Sequence, residues 1–402
     1  MAQERSYTIE HDDLDPEIVT INMGPSHPST HGVLRLVLKL DGEKVVSCTP
    51  HLGYLHRGME KIAENKTYNQ FVPYTDRLDY LAPLSNNVSY ILAVEKGMGL
   101  VLPPRGQAIR VIVCEMARIS AHLLWLGTHA LDLGAATVFF HTFRDREPLY
   151  YLMEWLTGGR LTTSYTRVGG LSGDIPDGWT AELRRFIDYF PPMIDEFEKL
   201  LTRNRIWTQR TQNVGVIPKQ MAIDYGVTGP CLRAAGVDYD VRKAMPYCGY
   251  ERYDFEIPIG SVGDVYDRYL VRIEEMRQSV KILDQALKTL PGGPINVEDG
   301  KVFLPGKKKV LTSMEELIHQ FMLVTESLTP EPGEVYHAIE APKGELGFYV
   351  VSTGGRSPYR LRIRSPSFCN LQVIPKIVEG AYLADVVAVI ASLDPVMGEV
   401  DR

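Results

Sequence analysis

Between Ile109 and Leu133 the chain repeats an apolar residue every three or four positions, at Ile109, Ile112, Met116, Ile119, Leu123 and Leu126. Only a helix lines such residues up on one face. From Leu123 to Leu133 the segment is apolar on most of its sides, so it belongs at the centre of a bundle, wrapped by other elements. His122, His129 and Asp132 interrupt the run. A membrane span needs about 18 residues or more without such breaks, and no stretch of the chain supplies them. The expectation is a mainly helical (α+β) protein built round one buried helix.

The flanking segments fill out that frame. Leu34, Leu36, Leu38 and Leu40 alternate with Val33, Arg35, Val37 and Lys39, which predicts a strand. Asp41-Gly42 supplies a tight turn and Glu43 to Cys48 the returning strand, giving a β-hairpin near the front. Helical spacing continues from Leu55 to about Leu156. A second long helix is predicted from Val262 to Leu290, with Ser261 and Asp264 as a capping box and Pro291-Gly292-Gly293 as its stop. Residues 291–310 read as a loop and Ser313–Leu328 as a helix. Glu334–Ile339, Gly347–Ser352 and Tyr359–Arg364 read as three short strands of a small C-terminal β-sheet, and Leu371–Ser392 as the closing helix. The expected organisation is a polar lead-in over 1–17 and a single domain over 18–402. Within it, 18–54 is β-rich, 55–330 the helical core, 331–370 the small sheet, and 371–402 the last helix and tail.

Charge and cysteine usage exclude several classes. A formal net charge of −7 argues against a nucleic-acid partner. The five cysteines, Cys48, Cys114, Cys231, Cys248 and Cys369, form no Cys-x-x-Cys. Such scatter suits a reduced compartment. It also leaves the chain without the roughly four thiolates that an iron–sulfur cluster needs. The opening residues lack the basic-then-apolar order of a secretion signal, so the chain is expected on the cytoplasmic side.

Three segments carry candidate chemistry. Gly24-Pro25-Ser26-His27-Pro28-Ser29-Thr30-His31-Gly32 is a loop enforced by its prolines and glycines at the start of the hairpin, a rigid support for a site. His31 in it can donate a proton near neutral pH or be an ordinary surface histidine. In Tyr74-Thr75-Asp76-Arg77-Leu78-Asp79-Tyr80-Leu81, Tyr80 offers a phenolic donor on an apolar body, or packs in the core while Asp79 caps a helix. Asp132 lies in an apolar stretch and needs a partner if buried, a histidine being the natural one; alternatively it marks a helix end. His56, Arg57, Glu60 and Lys61 have the spacing of a solvated helix face.

The last nine residues, Asp394-Pro395-Val396-Met397-Gly398-Glu399-Val400-Asp401-Arg402, resemble the end of nickel-iron hydrogenase large subunits, Asp-Pro-Cys-x-x-Cys followed three residues later by His or Arg. Val396 and Glu399 stand at the cysteine positions. The other hydrogenase motif, Arg-x-Cys-x-x-Cys, is matched by Arg77-Leu78-Asp79-Tyr80-Leu81-Ala82, with Asp79 and Ala82 at the cysteines. All four thiolates are replaced, and valine, alanine and carboxylates are poor substitutes for soft ligands.

These blocks, with residues 24–36, 52–64, 228–243 and 340–347, closely resemble the 49-kilodalton, or D, subunit family of complex I, the proton-pumping NADH–quinone oxidoreductase, over nearly the whole chain. The resemblance implies a hydrogenase-large-subunit-like fold with no metal or redox centre of its own. It implies a translocase subunit on the cytoplasmic face of the cell membrane, the inner membrane of a Gram-negative cell. It implies the B subunit, with the terminal 4Fe-4S cluster, the C subunit, and the membrane-arm H subunit near the quinone entry as partners. The substrate would be ubiquinone or menaquinone, His31 and Tyr80 would donate to its carbonyl oxygens, Asp132 would hold His31, and Arg77 would lie beside the cluster. Thr162 stands where relatives carry a histidine near that cluster, so any pH dependence assigned to that histidine is in doubt. The alternatives are an equivalent subunit of a complex driven by ferredoxin or another donor, a structural scaffold, and a hydrogenase, which the missing thiols disfavour.

Overall fold

A computed structural model describes residues 7–11 and 18–402. Its centre is a 29-residue helix, Pro104–Asp132, buried on nearly every side from Ala108 to Ala130. Proline at its first position presets the helical φ. Gly134, at φ 91°, lets the chain turn away after the last turn. Around it pack Pro83–Met98, Ala136–Thr157 and Val265–Lys288, while the amphipathic helix Trp179–Leu201 lies against the last two of these. The central position read from the Ile109–Leu133 periodicity is the one found.

The front is a four-stranded antiparallel sheet, Tyr7–His11, Ile18–Met23, Arg35–Asp41 and Lys44–His51, paired in that order. One of its strands falls within the stretch read as a lead-in, and residues 1–6 and 12–17 of that stretch lie outside the described residues. The hairpin turn is Gly42-Glu43, one residue later than expected, because Asp41 still pairs with Lys44 and Gly42 takes the positive φ. Leu34, Leu36, Leu38 and Leu40 are buried in a second core that also holds Val386, Val389 and Ile390.

At the back, Gly333–Ala341, Gly344–Ser352 and Arg360–Arg364 form a three-stranded antiparallel sheet. Three helix boundaries differ from expectation. The Val265–Lys288 helix is capped by Asp264, which accepts from the Asp267 amide at 2.7 Å, and Ser261 lies outside it. The long helical reading from Leu55 to Leu156 is five separate helices. The closing helix is broken into Pro366–Leu371, Ile374–Ile377 and Leu383–Leu393. Short apolar segments buried on all sides have no periodicity to mark where one stops.

A second feature holds the centre. Glu115, Arg118 and His122 of the central helix meet Arg233, Asp240, Arg242, Glu275 and Glu340, all buried. Arg233 bridges Glu275 at 2.6 Å and Glu340 at 2.7 Å. Arg242 bridges Asp240 at 2.7 Å and Glu115 at 3.1 Å. Tyr250 and Ser279 donate to Glu115 at 2.7 and 2.6 Å. The blocks 228–243 and 340–347, far apart in sequence, are joined here.

Candidate functional site

The loop before the hairpin is tied to itself. The His27 carbonyl accepts from the Thr30 amide and hydroxyl and from the Gly32 amide, at 3.1, 2.9 and 3.3 Å. A short 3-10 turn at Pro28–Thr30 rests on the Leu383–Leu393 helix. Gly24 admits no Cβ, which would collide with the Leu34 carbonyl. His31 follows in the left-handed region, φ 53°. Burial lowers its pKa, Asp394 opposes that and Lys343 adds to it. Both groups are therefore within electrostatic reach of the ring.

Tyr80 arrives from another direction. The Tyr68–Thr75 helix, closed at its start by a Thr67–Gln70 capping box, ends at Asp76, and Pro83 starts the next helix. Asp79 lies between them and does not cap that helix. Its Oδ1 accepts from the Leu81 amide at 3.0 Å in a local turn, and its carbonyl accepts from Asn86 at 2.8 Å. This turn sets the Tyr80 side chain. Burial raises the Tyr80 pKa, Asp79 and Asp394 raise it further, and Arg57 opposes them. Among the described residues the Tyr80 hydroxyl has no hydrogen-bond partner.

The tail completes the pocket. Gly398 packs so tightly on the 76–82 segment that a Cβ would sit 2.7 Å from the Leu78 carbonyl oxygen and 2.9 Å from that of Arg77. Arg57 donates to the carbonyls of Arg77 and Gly398 at 2.7 and 2.8 Å, joining the two segments. Asp401 accepts from the amides of Gly53 and Leu55 at 2.9 and 2.7 Å, and its carbonyl lies 2.6 Å from His56 Nδ1. His56 and Arg57 thus precede the Met59–Glu64 helix and clamp the tail; they are not a solvated helix face. Asp79, Ala82, Val396 and Glu399, the four positions matched to hydrogenase cysteines, are all buried. Glu399 accepts from the Ser367 hydroxyl. Burial pushes it up to about 8, with Asp79 adding to the shift. Lys343, in the two-residue turn between the first two strands of the back sheet, makes a buried ion pair with Asp394. Two aliphatic side chains and an ammonium group make this a poor cage for a nickel–iron centre. Among the described residues no cluster of three or more His, Cys, Asp or Glu stands ready to hold a metal ion.

Sequence comparison agrees with this altered pocket. Residues 132–402 match the family model described as the respiratory-chain NADH dehydrogenase 49-kilodalton subunit. The chain belongs to that family. The D subunit of NADH-quinone oxidoreductase from Methylacidiphilum infernorum is 62% identical over 96% of this chain and 92% of its own length. The corresponding subunits of Opitutus terrae and Geotalea uraniireducens are 60% and 56% identical over 96% of this chain, and 90% and 99% of theirs. Family membership makes other subunits of a membrane-associated complex its partners. No helix among the described residues is long and apolar enough to cross a membrane.

The expected residues divide into two groups. His31 and Tyr80 both lie within electrostatic reach of Asp394. Asp132 does not join them: at the end of the central helix it has no side-chain hydrogen bond or ion pair among the described residues, and burial alone raises it to about 6. Arg77 is on the surface, donating to the Pro73 carbonyl at 2.6 Å, beside an open hollow of about 500 Å³ lined by Arg57, Met59, Ile62, Pro73 and Tyr74. Thr162 is exposed on a loop whose Tyr165 amide binds Asn87, and Asn87 in turn binds Asp76, next to Arg77. Sequence reasoning missed Lys343 and Asp394 as a pair. The sequence carried no signal for it beyond a Pro342-Lys343-Gly344 turn between two strand patterns, and a lysine in such a turn is ordinarily exposed.

Proposed function

We propose that the chain forms, with the B subunit, the cavity in which a quinone head group is reduced, coupled to proton translocation in the assembled oxidoreductase. The observation that carries this is that His31 and Tyr80, from separate segments, both lie within electrostatic reach of Asp394, which is buried and paired with Lys343, beside four buried positions that hold no thiolate. Two-electron reduction places negative charge on the quinone oxygens. Donors aimed at that charge stabilise it, and each oxygen must then receive a proton. Tyr80 has a hydroxyl with no competing partner, and its raised pKa keeps the proton on the phenol until charge develops nearby. His31, lowered by burial, is neutral in the resting site and serves as a hydrogen-bond donor.

Arg77 and the hollow beside it face outward, which suits docking of the subunit bearing the terminal 4Fe-4S cluster, and a subunit docked there would bring its cluster towards this guanidinium. Asp132 belongs to the coupling step in this reading. Its unpartnered carboxyl, raised to about 6, would take up the His31 ring when the 24–32 loop shifts, so that making and breaking the pair moves charge.

The test is turnover of the assembled complex. Tyr80→Phe and His31→Ala should each lower quinone reduction by about 100-fold or more, while NADH oxidation by an artificial one-electron acceptor stays intact. Unchanged quinone reduction in both variants would leave the chain as a scaffold. Asp132→Asn should reduce the protons translocated per quinone; full pumping at full turnover removes Asp132 from the coupling step.

A further inference from the structure

Two of the four buried positions in the emptied pocket are carboxylic acids. Asp79 and Glu399 are each about 1% exposed. The Asp79 Oδ2 atom is buried with no hydrogen-bond partner, although Oδ1 is satisfied by the Leu81 amide. Glu399 has the Ser367 hydroxyl, itself fixed by the short Pro366–Leu371 segment, and feels the charge of Asp79. The cations facing the pair are few. Lys343 is already in contact with Asp394. Arg57 spends its Nη2 on two carbonyls, and Arg146, held by Ser120, reaches Asp79 only through space. Arg402 lies over the Phe368 ring, and Asp401 is engaged by the Gly53 and Leu55 amides. Asp76 on the same segment is tied to Asn87, and the His31 ring on the loop side is held neutral. Among the described residues, Lys343 is the only cation in ion-pair contact with any of Asp79, Glu399 and Asp394, and it is taken by Asp394. A buried carboxylate without a counter-charge takes up a proton instead.

We propose that Asp79 and Glu399 hold one proton between them at neutral pH, and that this proton is the reserve from which Tyr80 is refilled. The second half rests on the quinone-site reading. When Tyr80 gives its phenolic proton to a reduced quinone oxygen, a tyrosinate remains beside Asp79. The carboxyl O–H of the pair then breaks and the phenol O–H re-forms, leaving both carboxylates ionised until solvent restores the proton. The transfer is downhill because the tyrosinate, whose pKa is raised by burial and then by Asp79 and Asp394, is a stronger base than the carboxyl pair. Such pairs titrate as a unit, so the reserve belongs to the two carboxyls jointly.

The experiment is an infrared pH titration of the assembled complex, comparing wild type with Glu399→Gln and Asp79→Asn, each checked for assembly by NADH oxidation with an artificial acceptor. Wild type should show a protonated-carboxyl C=O band that disappears in a step near pH 8. Glu399→Gln should lack it. Asp79→Asn should keep a band whose step moves to lower pH, since the neighbouring negative charge is gone. A band absent from wild type, or unmoved in both variants, overturns the shared proton. The wild-type pH profile of quinone reduction should carry a step near the same pH that Glu399→Gln abolishes; a profile unchanged in that variant overturns the refilling of Tyr80. If instead Tyr80→Phe reduces quinone normally, the quinone-site reading fails while the infrared arm still decides the proton.

Discussion

Two clusters of buried ionisable groups lie three residues apart along one strand turn, and they are built on opposite terms. At Glu340 begins the network of Arg118, Arg233, Arg242, Glu115, Asp240 and Glu275, in which every guanidinium and carboxylate has charged or carbonyl partners. Its arginines hold Glu275 well below the usual range despite complete burial. At Lys343 begins the group of Asp394, Asp79, Glu399, His31 and Tyr80, in which, among the described residues, one oxygen of Asp79 and the Tyr80 hydroxyl have no hydrogen-bond partner and Glu399 is pushed up to about 8. The same residue types are spent on cohesion in one place and left with unmet demand in the other. Unmet demand is what a reacting ligand can answer.

The comparison breaks most readily at Arg233. Arg233→Ala strands Glu275 and Glu340 without their shared counter-charge, and should cost about 3–5 kcal/mol in chemical denaturation. A loss below about 1 kcal/mol would mean that the network is not cohesive. Next is the seam between the tail and the 76–82 segment. Gly398→Ala pushes a methyl group against two backbone carbonyls that cannot swing aside, and should cost about 3 kcal/mol along with most quinone reduction.

Acid sensitivity comes third and rests on buried histidines, one of which, His122, belongs to the first cluster. His129, between Trp125 and Trp207 with both ring nitrogens unpartnered, is lowered to about 3, and His122 and His337 to about 4. Burial is the first cause in each case. The unfolded chain binds these protons below about pH 6.5 and the folded chain does not, so stability is full above that pH and falls as pH drops towards 4. At pH 5 His129→Phe should recover about 2 kcal/mol relative to wild type, and about nothing at pH 8. Equal effects at both pH values would refute the assignment. The smallest effect is expected at Asp394→Asn. Asparagine tolerates the left-handed φ of 54° found there, so the fold should hold. The Tyr80 pKa falls with the lost negative charge, and the alkaline limb of quinone reduction should move to lower pH by about one unit.

The central helix and the two sheets were legible because their apolar residues keep a period over many turns or along alternating strands. The Ile109–Leu126 stripe and Leu34 to Leu40 are examples. The broken helices between Pro366 and Leu393 were not, since nearly every residue there is buried and no stripe remains to be read. His31 and Tyr80 stood out as candidate donors because each lies on a loop or turn beside an apolar element. The ion pair near them was not legible: Lys343 and Asp394 are 51 residues apart, and nothing local to a Pro-Lys-Gly turn says that its ammonium faces inward. Asp132 shows the reverse limit. A carboxylate in an apolar stretch was read as needing a partner if buried, yet Asp132 stands half-buried at a helix end without one among the described residues.

Pro342-Lys343 is the shortest connection that joins two antiparallel strands. Glu340 is anchored to Arg233 on one side of it, and Gly344 fits against Gly229 with no room for a Cβ on either residue. The ammonium of Lys343 is therefore mounted like a fixed electrode. A change of charge beside that ammonium would meet a turn with no slack to move, and so would be felt as a change of potential rather than of shape.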